Sequence, residues 1–425
     1  MVINTNISGR PSSLRKVHRI MALKSLLLEK QCSRKLLAEK LSLSTMATSR
    51  ISNDLINAAL VSENGFIKNK NIPGPNQIIL EINQNSAFGI GIVLSAYNSE
   101  IGIVGANGKN IDSKKIEVNN ISDGEEALLL LIQEIKKLIK INSLPAERIM
   151  GIGVSVAADL DPSKNYVAGA GYLGWKPFDI KKTIESETGI SAFVEKIPNT
   201  LVLAEKSIGC AKNFNNILLV HSSTVIGASI MINNEVLEGV LSKAGRIGHF
   251  STTETSLICS CGRNDCLNCI ASGWSILVQA GLIKNKKYNP VLVPEYAERL
   301  NSLLNNECQL LPSDKLTRLL FEAGENLAYT ITKISQTLDP ESIILAGQLI
   351  RSNHYLSGLK TSLKKLGQDG LSALSKIKVG KVKIVEATSF MPLLKNLYSP
   401  NFDFEELYHS AHLVEKTQTG RRKTA

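Results

Sequence analysis

The chain has 425 residues, 43% hydrophobic and 20% charged, with a formal net charge of +11. That is enough for two or three domains with cores of their own. The apolar runs, such as 342–350, are too short to cross a bilayer and the N-terminus has no apolar leader, so neither membrane insertion nor secretion is expected. A cytoplasmic protein with reduced thiols is the expectation.

The charge is uneven: the first eighty residues hold twelve Lys/Arg against four acids, +8 of the total +11. A small basic segment suits a polyanion partner, although a merely solvated basic face has the same composition. Apolar spacing predicts a helix over 12–29, with Leu14, Val17, Ile20, Met21, Leu23 and Leu27 on one stripe. A second helix over 33–42 starts on the N-cap Ser33 and buries Leu36, Leu37 and Leu41. A third over 44–61 starts on Ser44 and keeps Ile51, Leu55, Ile56 and Ala59 on one face. The Leu-Ser-Leu-Ser link at 41–44 is the tight connection of a helix-turn-helix. Residues 61–72 read as a wing, two strand-like pieces around Gly65 with Lys68 and Lys70 exposed.

In such a unit the third helix enters the major groove of double-stranded DNA. Its start offers Ser44, Thr45, Met46, Thr48, Ser49 and Arg50, with no acid before Asp54, while Lys68 and Lys70 would hold phosphates and fix register. A three-helix unit that makes only protein contacts is the alternative; the local charge and the wing favour DNA.

The Pro/Gly/Asn-rich stretch 71–77 marks a boundary, giving a DNA-binding domain over 1–75 and a body over 76–412, with 413–425 a basic, polar tail read as disordered. In the body, strands are predicted at 87–94, 99–105 and 110–118, the last two joined by an Asn107-Gly108 turn. A helix over 123–141 follows, its start assigned to a capping box of Ser122 and Glu125. Further strands fall at 149–156, 216–220 and 227–232, with an Asn233-Asn234 hairpin turn, and a helix near 313–337 leads into a strand at 342–347. Strands and helices alternate twice over, which predicts an α/β body of two lobes.

His249, Cys259, Cys261 and Cys266 stand within 18 positions. Three thiolates and an imidazole are a complete tetrahedral set for structural zinc, with no open position for catalysis. Cys269 is a spare thiol that could substitute as a ligand or be buried. The alternative is a set of unrelated buried or redox-active cysteines.

The segment Gly245-Arg246-Ile247-Gly248-His249, followed by Cys259-Ser260-Cys261-Gly262-Arg263-Asn264-Asp265-Cys266-Leu267-Asn268, resembles the signature of the ROK family of repressors, open reading frames and sugar kinases. That signature runs Gly-Glu-x-Gly-His, then Cys-x-Cys-Gly-x-x-Gly-Cys-x-Glu. The stretches 153–162, 171–180, 203–209 and 339–350 are also similar, and an N-terminal winged helix-turn-helix is what the family's repressor branch carries. The resemblance implies an actin-like, sugar-kinase-like fold, two α/β lobes around a cleft with zinc in the larger lobe, and a homodimer.

The departures bear on activity. Where the kinases carry an Asp-x-Gly-Gly-Thr phosphate loop, this chain has Gly91-Ile92-Val93-Leu94-Ser95; where they carry Gly-Thr-Gly-Ile-Gly, it has Ser223-Thr224-Val225-Ile226-Gly227. Backbone that approaches phosphate closely needs glycine. The general base is the Asp of Glu-Asn-Asp-Ala-Asn, here Glu195-Lys196-Ile197-Pro198-Asn199, and isoleucine accepts no proton. The sugar-binding glutamates correspond to Arg246 and Asn268, leaving His249 as the one unchanged effector ligand.

Two readings of the pocket remain. Lys196, Arg246, His249 and Asn268 bind an anionic effector such as a sugar phosphate or sugar acid, or the pocket has lost its ligand and Arg246 pairs internally. The expected protein is a non-enzymatic transcriptional regulator, a repressor of carbohydrate-related genes answering to a small molecule or a protein effector. A sugar kinase with a DNA-binding appendage is the alternative from another class, and a pure protein-binding module is the third.

Overall fold

A computed structural model describes residues 11–29, 32–67, 77–95, 99–118, 123–169, 175–310, 314–402 and 404. The N-terminal unit comprises α1 (Pro11–Leu28), β1 (Cys32–Ser33), α2 (Arg34–Leu41), α3 (Thr45–Asn57), β2 (Val61–Ile67) and β3 (Gln77–Ile82). Local chemistry sets the helix starts. Ser33 Oγ accepts from the Leu36 amide and Ser44 Oγ from the Ala47 amide, each at 3.2 Å. α2 ends where Ser42 turns into the left-handed region, φ 53°.

Burial corrects the stripes. Leu14 is exposed and Leu36 only half-buried, while Ala22, Leu23 and Leu26 carry the inner face of α1. On α3 the buried set is Thr48, Ile51, Ser52 and Leu55, the spacing of one helix face. Thr48 is fully enclosed and its hydroxyl donates to the Ser44 carbonyl at 3.1 Å, so the expectation that it meets a base edge fails.

The wing also differs from its sequence reading. β2 is one strand, bulged between Glu63 and Phe66 where Gly65 has φ +70°, and its antiparallel partner is β3. β1 pairs the other edge of β3. β3 starts at Gln77, and the sheet of the N-terminal unit runs to Ile82, beyond the boundary drawn at 75. Lys68, Lys70 and the tail 413–425 lie outside the described residues.

The first lobe of the body is built on a five-stranded sheet of β4 (Phe88–Leu94), β5 (Ser99–Gly105), β6 (Asn110–Ile116), β7 (Ile149–Val156) and β11 (Ala192–Lys196), in the order β11-β7-β4-β5-β6. Between them run α4 (Gly124–Ile141), a small sheet of β8 (Asp159–Leu160), β9 (Tyr166–Gly169) and β10 (Phe178–Asp179), and α5 (Ile180–Thr188). Asp123 caps α4, accepting from Glu125 and Glu126 amides at 2.8 and 3.2 Å; the expected Ser122 capping box is replaced, with Ser122 outside the described residues.

After α6 (Ile197–Ser207), the second lobe holds β12 (Ile217–Ser222), β13 (Ile226–Ile232) and β14 (Glu235–Val236), then α7 (Asn268–Ala271), α8 (Gly273–Gln279), α9 (Val293–Asn305) and α10 (Lys315–Leu338). It continues through β15 (Ser342–Ala346), α11 (Asn353–Lys365), α12 (Gly367–Lys376) and β16 (Ile377–Val379), and its sheet order is β14-β13-β12-β15-β16. The last helix, α13 (Ile384–Lys395), returns to the first sheet.

Glycines make that return possible. A Cβ at Gly89, Gly91 or Gly153 would stand 2.0–2.4 Å from Ser389 or Thr388 of α13, so the alternating Gly pattern of β4 and β7 is the groove in which α13 lies. Beyond its start, α13 carries Phe390 and Leu393 into an apolar cluster shared with Ile20, Leu23 and Leu55 of the N-terminal unit. No helix among the described residues is long and apolar enough to cross a membrane.

Candidate functional site

The metal-ligand candidates converge. His249 ends a short 3-10 turn, and the Cys259–Cys261 loop is closed by Gly262, at φ +90°, donating to the Cys259 carbonyl at 2.9 Å. The four ligand atoms lie within 4.8 Å of one another. His249 Nδ1 to Cys259 Sγ is 3.5 Å, and Cys261 Sγ to Cys266 Sγ is 3.4 Å. A tetrahedron with zinc–sulfur bonds of about 2.3 Å has edges near 3.8 Å, so the donors fit a soft divalent ion in type, number and spacing. Such an ion would tie the His249 turn to the cysteine loop.

Hydrogen bonding from Cys269 and from His249 outweighs burial and pushes the Cys259 thiol well down, giving it thiolate character. Cys269 stands outside the quartet, buried, with its thiol on the Leu257 carbonyl at 3.6 Å. Arg263, which the sequence reading passed over, donates to the His249 carbonyl and lies 3.4 Å from Cys266 Sγ, bridging both arms of the loop.

The loop forms one wall of a cleft of about 630 Å³ between the two lobes. The other wall is apolar around Ile197, with Val93, Val156 and Pro198, while Glu100, Lys115 and Asp159 also line it. Ile197 opens α6 and is itself buried. Ser223 and Thr224 turn their carbonyls onto the Gly273 and Trp274 amides, at 2.8 and 3.0 Å, while the Ser223 amide donates to the Val225 carbonyl at 3.1 Å and the Ile226 amide to Asn268 at 2.8 Å, so these two amides are already committed. His221 also faces the cleft; burial alone pushes its imidazole down to about 4, leaving it neutral near pH 7.

Lys196, Arg246, His249 and Asn268 all line this one cavity, as a shared site requires, but all four already have partners, His249 in the thiol cluster. Arg246 forms an ion pair with Asp159. Lys196 Nζ donates to the carbonyls of Ser242 at 2.7 Å and Ala244 at 3.4 Å. Asn268, buried, accepts the Ile226 amide at 2.8 Å and so joins the metal loop to the cleft loop. Sequence reasoning missed Asp159, although it stands in the family-like stretch 153–162. It also missed Lys164, which bridges the buried Glu195 and Glu238 and for which no sequence signal exists.

At the far end of the molecule, α3 presents Ser44, Thr45, Met46 and Arg50 to solvent, with Ser49 half-buried. Met46 is 68% exposed, and Arg50 Nη2 rests on its sulfur at 3.7 Å. Asp54, the first acid of the helix, is held by Arg15 and Arg19; burial would raise its carboxyl, but these two guanidinium groups outweigh it and hold it below the usual carboxylate range.

The ROK family profile matches residues 89–387. The xylose repressor of Bacillus subtilis (strain 168) is 26% identical over 351 residues, covering 80% of this chain and 84% of that protein. A glucokinase of Halalkalibacterium halodurans is 23% identical over 274 residues, covering 63% of this chain and 82% of that protein. A crystal structure of a ROK family transcriptional regulator, a homologue of the E. coli MLC protein, shares the fold with a TM-score of 0.68 at 19% identity, over 95% of this chain and 98% of its own. The profile match spans most of the body, and the repressor similarity extends to 80% of the chain: the chain belongs to the ROK family, on its repressor branch.

Proposed function

We propose that this protein is a DNA-binding transcriptional repressor of carbohydrate-related genes, built on a ROK body that does not phosphorylate sugars. The observation that carries the reading is the outward face of the first two turns of α3, Thr45, Met46 and Arg50, on a winged helix-turn-helix packed against the body. The repressor relatives, named for xylose, support the class of genes. Ser44, Thr45, Met46, Ser49 and Arg50 are the readers, with Lys68 and Lys70 on phosphates. Two copies in a homodimer would present two such helices to a two-fold operator.

His249, Cys259, Cys261 and Cys266 hold structural zinc, and the protein works in the cytoplasm. Ile197 at the base position and the committed Ser223 and Ile226 amides of the 223–227 loop speak against the kinase reading, which glucokinase relatives keep in view. The ion pair of Arg246 with Asp159 favours a pocket that has lost its ligand over one for an anion. A thermal-shift panel of phosphorylated sugars separates the two, since only an anion site shifts wild type more than Arg246→Ala.

Purified protein titrated against fragments of its own promoter region and a scrambled duplex, at several salt concentrations, tests the main reading. Fragment-selective binding that weakens steeply with salt and drops about tenfold or more in Arg50→Ala supports it. Equal weak binding to every duplex overturns it.

A further inference from the structure

Residues 237–246 form a closed loop on the second lobe. Leu237 donates to the Ile230 carbonyl at one end, and the Gly245 carbonyl accepts the Ala228 amide at the other, both at 2.8 Å and both onto β13. Inside, Ala244 donates to the Glu238 carbonyl at 3.0 Å and Ser242 to the Gly239 carbonyl at 3.1 Å. Gly245 allows no side chain, since a Cβ would stand 2.0 Å from the Ala228 carbonyl oxygen. The loop is thus a stiff projection of β13 that faces the first lobe.

Three cations cross from lobe to lobe at this loop. Lys164, in the β8–β9 turn, reaches Glu238 while also pairing with Glu195. Lys196, at the end of β11, reaches the Ser242 and Ala244 carbonyls. Arg246, on the loop itself, reaches back to Asp159 of β8. Any one exposed pair contributes little in water. Three on one ten-residue loop share the entropic cost of ordering it, and Glu195 is buried while Lys196 is half-buried.

We propose that Lys164, Lys196 and Arg246 form an interlobe clamp that fixes the two lobes relative to each other across the cleft without a bound ligand. The inference rests on the reading of the body as regulatory rather than catalytic. It adds that the arrangement of the lobes beneath the DNA-binding unit is set by the chain's own charges, so neutral sugars do not change it. The three side chains are positioning residues.

The test is hydrogen exchange on the full chain without DNA, so its outcome is independent of whether the protein reads DNA. Peptides covering 235–247 should exchange slowly in wild type, unchanged by saturating D-xylose or D-glucose. They should exchange several-fold faster in the Lys164→Met, Lys196→Met, Arg246→Met triple variant while α10 and β12 stay protected. Arg246→Asp alone should also speed exchange, and adding Asp159→Arg should recover part of the protection by reversing the pair. Should the triple variant lose protection in α10 as well, the single and swapped variants decide. Equal exchange in wild type and Arg246→Asp, no recovery in the swap, or a wild-type loop that responds to sugar would each overturn the clamp.

Discussion

The two walls of the cleft use polar side chains in opposite ways. On the metal wall, one imidazole and three thiols point at one another, with Arg263 and Asn268 holding the surrounding loops. On the facing wall, Ile197, Val93 and Pro198 offer nothing to a reacting group, and the nearby cations reach past the cavity to the other lobe. The difference separates folding from catalysis. A tetrahedral thiolate set would be satisfied by an ion it carries with it, and would stabilise the lobe whether or not the cleft binds anything. A carboxylate at position 197, among Val93, Val156 and Pro198, would be charged in an apolar setting, whereas Asp159 on the same side of the cleft has Arg246 as its partner.

The largest expected effect is at the metal wall. Cys259→Ala, or dialysis against a strong chelator, should abolish bound zinc by elemental analysis and lower stability on the order of 5 kcal/mol. Unchanged melting with the metal gone would erase the contrast between the walls. Next comes Ile197→Asp, which restores a carboxylate to the facing wall. It should cost about 2–4 kcal/mol without producing ADP from ATP and glucose or xylose in a coupled assay. Because folding would raise the pKa of that new carboxyl, its penalty is greatest at neutral pH and shrinks as pH falls and the group protonates. Sugar-dependent ADP release would break the reading outright.

Asn268 links the two walls, so Asn268→Ala sharpens the comparison: it strands the buried Ile226 amide, a loss of about 1–3 kcal/mol in denaturant titration, while zinc remains bound. Asp54→Asn, remote from both walls, sets the scale of an ordinary ion pair. It should cost about 1 kcal/mol at pH 7, discounted for the exposure of Arg15. The folded Asp54 carboxyl sits below its unfolded value, so wild type keeps its advantage above a pH of about 4 and loses it as pH falls through the depressed value. Melts at neutral and acid pH check the sign. Smallest is Met46→Ala, which should leave stability unchanged within about 0.5 kcal/mol because the side chain is exposed. In DNA titrations it should weaken any preference for thymine at one position, where an apolar side chain meets the methyl group.

Legibility in the sequence followed the range of the interaction. Ser33 and Ser44 cap their helices across three residues, and the His249, Cys259, Cys261 and Cys266 set that the fold gathers within 4.8 Å spans 18 positions, so composition and spacing pointed to both groupings before any tertiary contact was known. Even locally, neighbouring candidates compete: Asp123 caps α4 where Ser122 was expected, because a carboxylate accepts two amides at once. Thr48 was misread because it is polar, while its place one turn before Ser52 puts it on the inner face. The wing partner was missed because the Pro/Gly-rich stretch 71–77 reads as a linker, while β3, which starts at Gln77, pairs back onto β2.

By itself, the sequence determined the winged helix-turn-helix pattern, the α/β alternation and the thiol–imidazole set, since each depends on residue type and short spacing; that Ile197 stands at a kinase base position is what the family resemblance implies. Only the tertiary structure decided what the new cations do. Arg246 finds Asp159 87 positions away and Lys164 finds Glu238 74 positions away, in contacts made only when the two lobes meet. A charged side chain in a sequence announces that it needs a partner; which partner is set by the fold, because attraction between ions falls with distance in space and is indifferent to distance along the chain.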